Sequence, residues 1–259
     1  MGQTQNDKNF NLYEYKGSSW AVVFTQPNNF GPVCTSEFVE LLKLKREFDS
    51  NNIKVVGFST NVSDAQAKWL KDVEAIANGY VPYNGTIETA PPTQSTIKVD
   101  FPIYSDLTLE MAVELGILDC DTADDEGLPV TTRTMHVLSP DNHIALINHY
   151  PPTVGRNWRE LLRSITALQL VEKSRELIHI PSHWEPGNKV LVDPNLSDNE
   201  CDEIFGIGRW DRMTLPSDVC QEVGSFIQGP GGVRIGEKEI GITGSIKLPR
   251  HYMRYTEII

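Results

Sequence analysis

Positive charge is scarce in this chain. Among 259 residues, 23 lysines and arginines stand against 35 aspartates and glutamates, a formal net charge of −12. Nucleic acids and anionic membrane surfaces are held by clustered Lys and Arg, so neither is expected as a partner. Long apolar runs are also missing: no stretch of 18 apolar residues occurs, and a membrane-spanning helix needs about 20. The first residues, MGQTQNDKNFNLYEYKG, hold neither an apolar core nor a basic leader. They do not read as a secretory signal, and a cytoplasmic location is expected. Cysteine is sparse. Cys34, Cys120, Cys201 and Cys220 form no CxxC pair and no zinc-ribbon spacing, and reduced thiols are expected in a cytosolic protein. His179 and His183 lie four apart, but Pro181 between them breaks a helical pair, so no metal site is expected.

The composition, 39% hydrophobic and 22% charged, is that of an ordinary globular protein. The length allows one large domain or two unequal ones. Ser19 to Thr25 (SWAVVFT) is apolar and β-branched and predicts a buried strand. A turn-rich QPNNFGPV follows, and Pro32 sits where a helix can begin. Phe38, Leu41, Leu42 and Phe48 recur near helical spacing, predicting a helix to about Phe48. Ile53 to Ser59 predicts a strand and Ser63 to Ile76 a helix. This strand–helix–strand–helix opening marks an α/β layer fold. Residues 79–99 read as a surface loop. Phe101 to Tyr104 reads as a short strand and Leu107 to Leu115 as a short helix. The acidic run Asp119, Asp121, Asp124, Asp125 and Glu126 reads as a solvated loop.

Thr132 to Leu138 and His143 to Asn148 predict two strands joined by a turn at Ser139–Asn142. Trp158, Leu161, Leu162, Ile165 and Leu168 share one helix face. Past Ser174, Pro181, Pro186 and Gly187 break the helix, and short β-like pieces follow at Lys189 to Val192 and Tyr252 to Thr256. A boundary near residue 175 is expected, dividing the chain into 1–174 and a smaller 175–259.

Cys34 is the chemically conspicuous residue. It follows a buried strand and a Pro-containing turn, and falls in the first turn of a predicted helix. There, free backbone N–H groups and the helix dipole favour an anion, and the thiolate is the nucleophilic form of cysteine. A cysteine in such a place also reads as a small buried hydrophobe. Local pattern leaves both readings open.

The stretch FTQPNNFGPVCTSE closely resembles the peroxidatic loop of the peroxiredoxins, whose core is Pro-x-x-x-Thr-x-x-Cys. Pro27 and Cys34 occupy its ends, and Val33, Cys34, Thr35 and Glu37 continue the match. GLPVTTR, ending in Arg133, resembles the strand that carries that family's active-site arginine. YPPTVGRNWRELLRSITALQL, PSHWEPGNKV and HYMRYT resemble elements of its one-cysteine subfamily. The resemblance implies a thioredoxin-like α/β fold over 1–174 with a smaller α+β C-terminal arm over 175–259. It implies a thiol-dependent peroxidase, an oxidoreductase acting on hydrogen peroxide and small organic hydroperoxides.

In that reading Cys34 attacks the peroxide and becomes a sulfenic acid. Arg133 stabilises thiolate and peroxide, Pro27 shields the thiol, and Glu37 and Arg156 steady Arg133. No bound cofactor or metal is implied. The implied partners are an external thiol or other reductant and a second copy of the chain, in a homodimer that the arm helps to build. Two positions depart from the pattern: the motif threonine is Gly31, and the histidine that precedes the motif proline is Gln26. Gly31 supplies no hydroxyl donor, and Gln26, though its amide donates and accepts, cannot shuttle a proton as a histidine can. They imply a slower peroxidase or, as the alternative, a non-enzymatic peroxiredoxin-like redox sensor or interaction protein.

Overall fold

A computed structural model describes residues 3–5, 7, 9–60, 63–79, 97–123, 127, 129–213, 233–235, 238–240 and 253–257. The chain forms two compact units, Met1–Ile165 and Thr166–Ile259. Most of the loop expected at 79–99 lies outside the described residues, as do Asp124, Asp125 and Glu126 of the acidic run. Among the described residues no helix is long and apolar enough to cross a membrane.

The first unit runs β1 (Gln3–Thr4), α1 (Leu12–Lys16), β2 (Trp20–Gln26), α2 (Pro32–Ser50), β3 (Ile53–Ser59), α3 (Ser63–Ala77), β4 (Ile103–Ser105), α4 (Glu110–Glu114), β5 (Leu118–Ala123), β6 (Pro129–Thr131), β7 (Arg133–Leu138), β8 (Ile144–Tyr150) and the first half of α5 (Trp158–Lys173). Its main sheet has the order β1-β4-β3-β2-β7-β8. β2, β3 and β4 are parallel, and β7 turns antiparallel against β2. Parallel neighbours need a long crossover, and the helix α2 between β2 and β3 supplies it. The tight turn between β7 and β8 closes through a bond from the Asn142 N–H to the Ser139 carbonyl, with Asn142 at φ 69°.

Aromatic rings fill the layer between sheet and helices. Phe24 of β2 meets Phe38 of α2 at 5.2 Å and Trp158 of α5 at 5.1 Å between centroids. Phe38 in turn touches Trp69 of α3 at 4.7 Å and Phe101 at 5.9 Å. These residues are essentially solvent-free, and offset or edge-on aromatic pairs add to their area burial. The opposite face of the sheet carries a smaller cluster of Phe58, Ala112 and Ile117.

Three expectations shift. The helix expected at Leu107–Leu115 shortens to α4, because Leu109 takes a left-handed conformation at φ 60° and stops helical geometry before it. Asp119 and Asp121, read as a solvated loop, lie in β5, which pairs with β6. The short helix α1 was not anticipated. Its signal is Asn11, whose side chain accepts from the Tyr13 and Glu14 N–H groups, as an N-cap does.

The second unit takes the rest of α5 and then β9 (Ile178–His179), β10 (Val190–Val192), α6 (Asp198–Phe205), β11 (Trp210–Arg212), β12 (Val233–Ile235), β13 (Lys238–Ile240) and β14 (Arg254–Thr256). The late strand β14 inserts between β10 and β11 in a four-stranded sheet. Ala167, Ile178, Trp184 and Val190 form its core. α6, also unanticipated, opens on a reciprocal capping box between Ser197 and Glu200.

Phe38→Ala removes the ring at the centre of the aromatic layer. It should lower the unfolding free energy by about 3–5 kcal/mol, read as a fall in the urea midpoint at constant slope. A loss below about 1 kcal/mol would mean that this layer does not hold the fold.

Candidate active site

Cys34 lies in the first turn of α2. Gly31 is the N-cap, at φ −67° and ψ 132°, and Pro32 is the first helical residue. The first-turn N–H groups have no intrahelical acceptor, so the chain leaves donors beside the cysteine. The residue is 2% exposed, and its Sγ receives a contact from Arg133 Nη1 at 3.5 Å.

Arg133 stands at the start of β7, and its position is heavily determined. Nη1 donates to Glu37 Oε2 at 2.6 Å, and Nη2 donates to the Pro152 carbonyl at 2.7 Å. Glu37 is one turn beyond Cys34 on α2, so the carboxylate and the thiol share a helix face. The same carboxylate binds Arg156 by three further bonds: from the backbone N–H at 2.6 Å, from Nε at 2.9 Å and from Nη2 at 2.6 Å. Arg156 also lies 5.1 Å from the Phe24 ring and 5.5 Å from the Trp158 ring, within cation–π range. All three charged side chains are buried. Two guanidiniums and one carboxylate leave one positive charge in a water-poor place, and a thiolate at Cys34 would balance it.

Sequence reasoning named Cys34, Arg133, Glu37 and Arg156, and the structure brings these four together. Gly31 is adjacent: a Cβ built there would sit 3.6 Å from Cys34 Sγ. Pro27 is buried at the end of β2. Gln26 is fully buried. Its Nε2 donates to Asn29 Oδ1 at 2.5 Å, and its Oε1 finds no partner among the described residues.

Other contributors carried no legible chemical signal. The Pro152 carbonyl is backbone. Trp158 and Trp69 read as apolar helix positions, yet each spends its indole N–H on α2. Trp158 Nε1 donates to the Glu37 carbonyl at 2.8 Å, and Trp69 Nε1 donates to Thr35 Oγ1 at 3.0 Å. Thr35 Oγ1 itself donates to the Gly31 carbonyl at 2.8 Å. The cap residue, the cysteine helix and α3 are thereby joined.

Cys201, the other cysteine whose side chain is described, has different surroundings. It is fully buried in α6. Burial raises its pKa, only partly opposed by Arg254, whose Nη1 lies 3.3 Å from Sγ. Cys220 and the side chain of Cys120 lie outside the described residues.

A buried cysteine at a helix start, faced by an arginine that a second ion pair immobilises, is a candidate thiol site on an α/β scaffold. The AhpC/TSA family matches residues 1–147, and the chain belongs to this family, the peroxiredoxins. Peroxiredoxin-6 of Bos taurus is 35% identical over 206 residues, covering 80% of this chain and 84% of that protein. The 1-Cys peroxiredoxin PER1 of Zea mays is 32% identical over 206 residues, covering 80% and 86%. Among solved structures, a cysteine-to-serine variant of the peroxiredoxin 6 of Arenicola marina superposes with a TM-score of 0.74 at 25% identity, covering 99% of this chain and 93% of that one. Yeast mitochondrial 1-Cys peroxiredoxin gives 0.70 at 28% identity, covering 99% and 94%. The fold is therefore thioredoxin-like, the resemblance to the one-cysteine subfamily holds, and family membership supports a thiol peroxidase function.

Glu37→Gln leaves two buried guanidiniums without their anion. Removing one partner of a buried ion pair costs about 3–5 kcal/mol, and chemical denaturation should show a loss of that order. A variant as stable as the parent would show that the carboxylate does not hold the arginines in solution.

Proposed function

We propose that this protein reduces hydrogen peroxide and small organic hydroperoxides at Cys34. The observation that carries the reading is the buried Cys34 Sγ, 3.5 Å from an Arg133 guanidinium that Glu37 holds in place. The thiolate attacks the terminal peroxide oxygen, an S–O bond forms, and the O–O bond breaks. The departing alkoxide or hydroxide takes a proton and leaves as alcohol or water. Cys34 is then a sulfenic acid, two electrons more oxidised. Arg133 stabilises charge on both the attacking sulfur and the peroxide oxygens, as a preorganised donor does. Its Nε has no partner among the described residues, so donor capacity remains. Arg156 and Glu37 act through Arg133, and Pro27 shields the sulfur from bulk water.

An external thiol closes the cycle: it condenses with the sulfenic acid, releasing water, and a second thiol reduces the mixed disulfide. The yeast mitochondrial relative is described as resolving its thiol via glutathione and thioredoxin systems, and thiols of that kind are proposed here. We also propose a homodimer. Among the described residues β8 ends the main sheet with one edge unpaired, and Ile144 and Ile147 are about half exposed; a second copy would cover such an edge. Retention of the whole Cys34–Arg133–Glu37–Arg156 cluster speaks for catalysis over a non-enzymatic role.

Gly31 and Gln26 set the rate in this reading. A threonine hydroxyl is a donor that Gly31 cannot supply. The backbone at Gly31 has a negative φ, and the added Cβ would meet its nearest neighbour, the Asn28 carbonyl, at 3.4 Å. A Cβ is therefore tolerated at this position, and the Gly31→Thr side chain starts 3.6 Å from the sulfur. A single such donor is worth about 10²–10³ in rate, so stopped-flow oxidation of Cys34 should accelerate at least ~10-fold. Adding Gln26→His should give a smaller further gain. Equal rates for the parent and a folded Gly31→Thr variant would mean that another group already supplies the donor.

Cys34 should be the thiol that iodoacetamide labels first at neutral pH, resolved by mass spectrometry. One equivalent of peroxide should produce no stoichiometric internal disulfide on non-reducing gels. Faster labelling elsewhere, or a quantitative bridge to Cys120 or Cys220, would refute the one-cysteine cycle.

A further inference from the structure

Strand β7 serves two sites. Side chains alternate along a strand: Arg133, Met135 and Val137 turn toward α2, and Thr134, His136 and Leu138 turn away. On that second face lies a cavity of about 420 Å³, within the size range of small-molecule sites. Phe10 and Tyr13 around α1, Phe58 and Tyr104 of the sheet, and Met111 and Leu115 of α4 form its walls. Phe58 and Tyr104 are stacked at 5.5 Å with 23° between their planes, placing an aromatic pair in the wall. Tyr13, Met111 and Leu115 remain substantially exposed at the mouth.

His136 is the conspicuous polar group of the floor. It is 8% exposed and sits in the ladder between Val23 of β2 and Ile147 of β8. Its ring makes no side-chain hydrogen bond among the described residues. Burial lowers its pKa, so the ring is neutral, with one donor and one acceptor nitrogen. The ring nitrogens are not among the fully buried polar atoms, so the imidazole opens into the cavity, where a ligand can reach its donor and its acceptor.

We propose that this cavity binds a neutral one- or two-ring aromatic alcohol or phenol, with its ring against Phe58 and Tyr104 and its hydroxyl on His136. A hydroxyl both donates and accepts, so it suits either imidazole tautomer. An ion does not suit the site. Among the described residues the lining holds no Lys, Arg, Asp or Glu, so a carboxylate or phosphate would lose its hydration without compensation from them. This site does not depend on the peroxidase reading.

The probe is 2-naphthol, titrated into the full-length protein and followed by its fluorescence and by the ring ¹H–¹³C signals of His136. The expected result is saturable binding at one site, with the His136 signals moving along the same isotherm. His136→Phe keeps the ring volume and should weaken binding about three- to tenfold, the worth of roughly one neutral hydrogen bond. Leu115→Trp, at the exposed mouth, should abolish binding by filling it. The anion 2-naphthoate should bind at least about tenfold more weakly than 2-naphthol. Absence of saturation, unmoved His136 signals, or equal affinity for the anion would each overturn the proposal. The His136 signals are read in the unmodified protein, so the test stands even if a variant fails to fold.

Discussion

The Glu37 carboxylate is the interaction on which the Cys34 cluster depends. It sits on α2, and it accepts from Arg133 on β7 and from both side chain and backbone of Arg156 ahead of α5. Three parts of the first unit thus meet on two oxygens. Burying three charges is costly, and here the cost is offset by good geometry: each carboxylate oxygen takes two donors, and Arg156 is further flanked by Phe24 and Trp158. The triad also sets the sign of the local field. One uncompensated positive charge faces the helix start that holds Cys34, and exclusion of water strengthens its pull on an anion.

The strand pattern explains how one sheet supports this chemistry. β2 and β3 are buried along nearly their whole length, as parallel strands with both faces covered must be. Their α2-side residues build the aromatic layer, on which the cysteine helix rests. β7 inherits the same alternation, so Arg133 reaches the thiol while His136 points the opposite way. A one-residue slip in the β2–β7 register would exchange the two faces, and the buried Met135 and Val137 on the α2 side resist it.

Much of this was legible in the amino-acid sequence because the signals were local. The β-branched run of β2, the Pro32 helix start and the spacing of Phe38, Leu41, Leu42 and Phe48 each act within a few residues. The short α1 and α6 escaped a reading based on apolar periodicity, since neither is long enough to display one, although Asn11 and the Ser197–Glu200 pair marked their starts. The αL turn at Leu109 left no trace, because leucine has no preference for that conformation. The grouping of Cys34, Arg133, Glu37 and Arg156 is a different matter. Glu37 lies 96 positions from Arg133 and 119 from Arg156, and nothing in local pattern joins them. Only resemblance to a family did so. The Pro152 carbonyl could not be read from any side chain.

The indole contacts at α2 give the site an optical property. Trp69 and Trp158 reach the opening turns of one helix from two different elements, each through a single N–H donor, to Thr35 and to the Glu37 carbonyl. Both rings are almost fully shielded from water. An indole emits according to its hydration and hydrogen bonding, so any unwinding of the turn that carries Cys34 would free two N–H groups and wet two fluorophores at once. The protein carries its own label for the conformational state of its thiol.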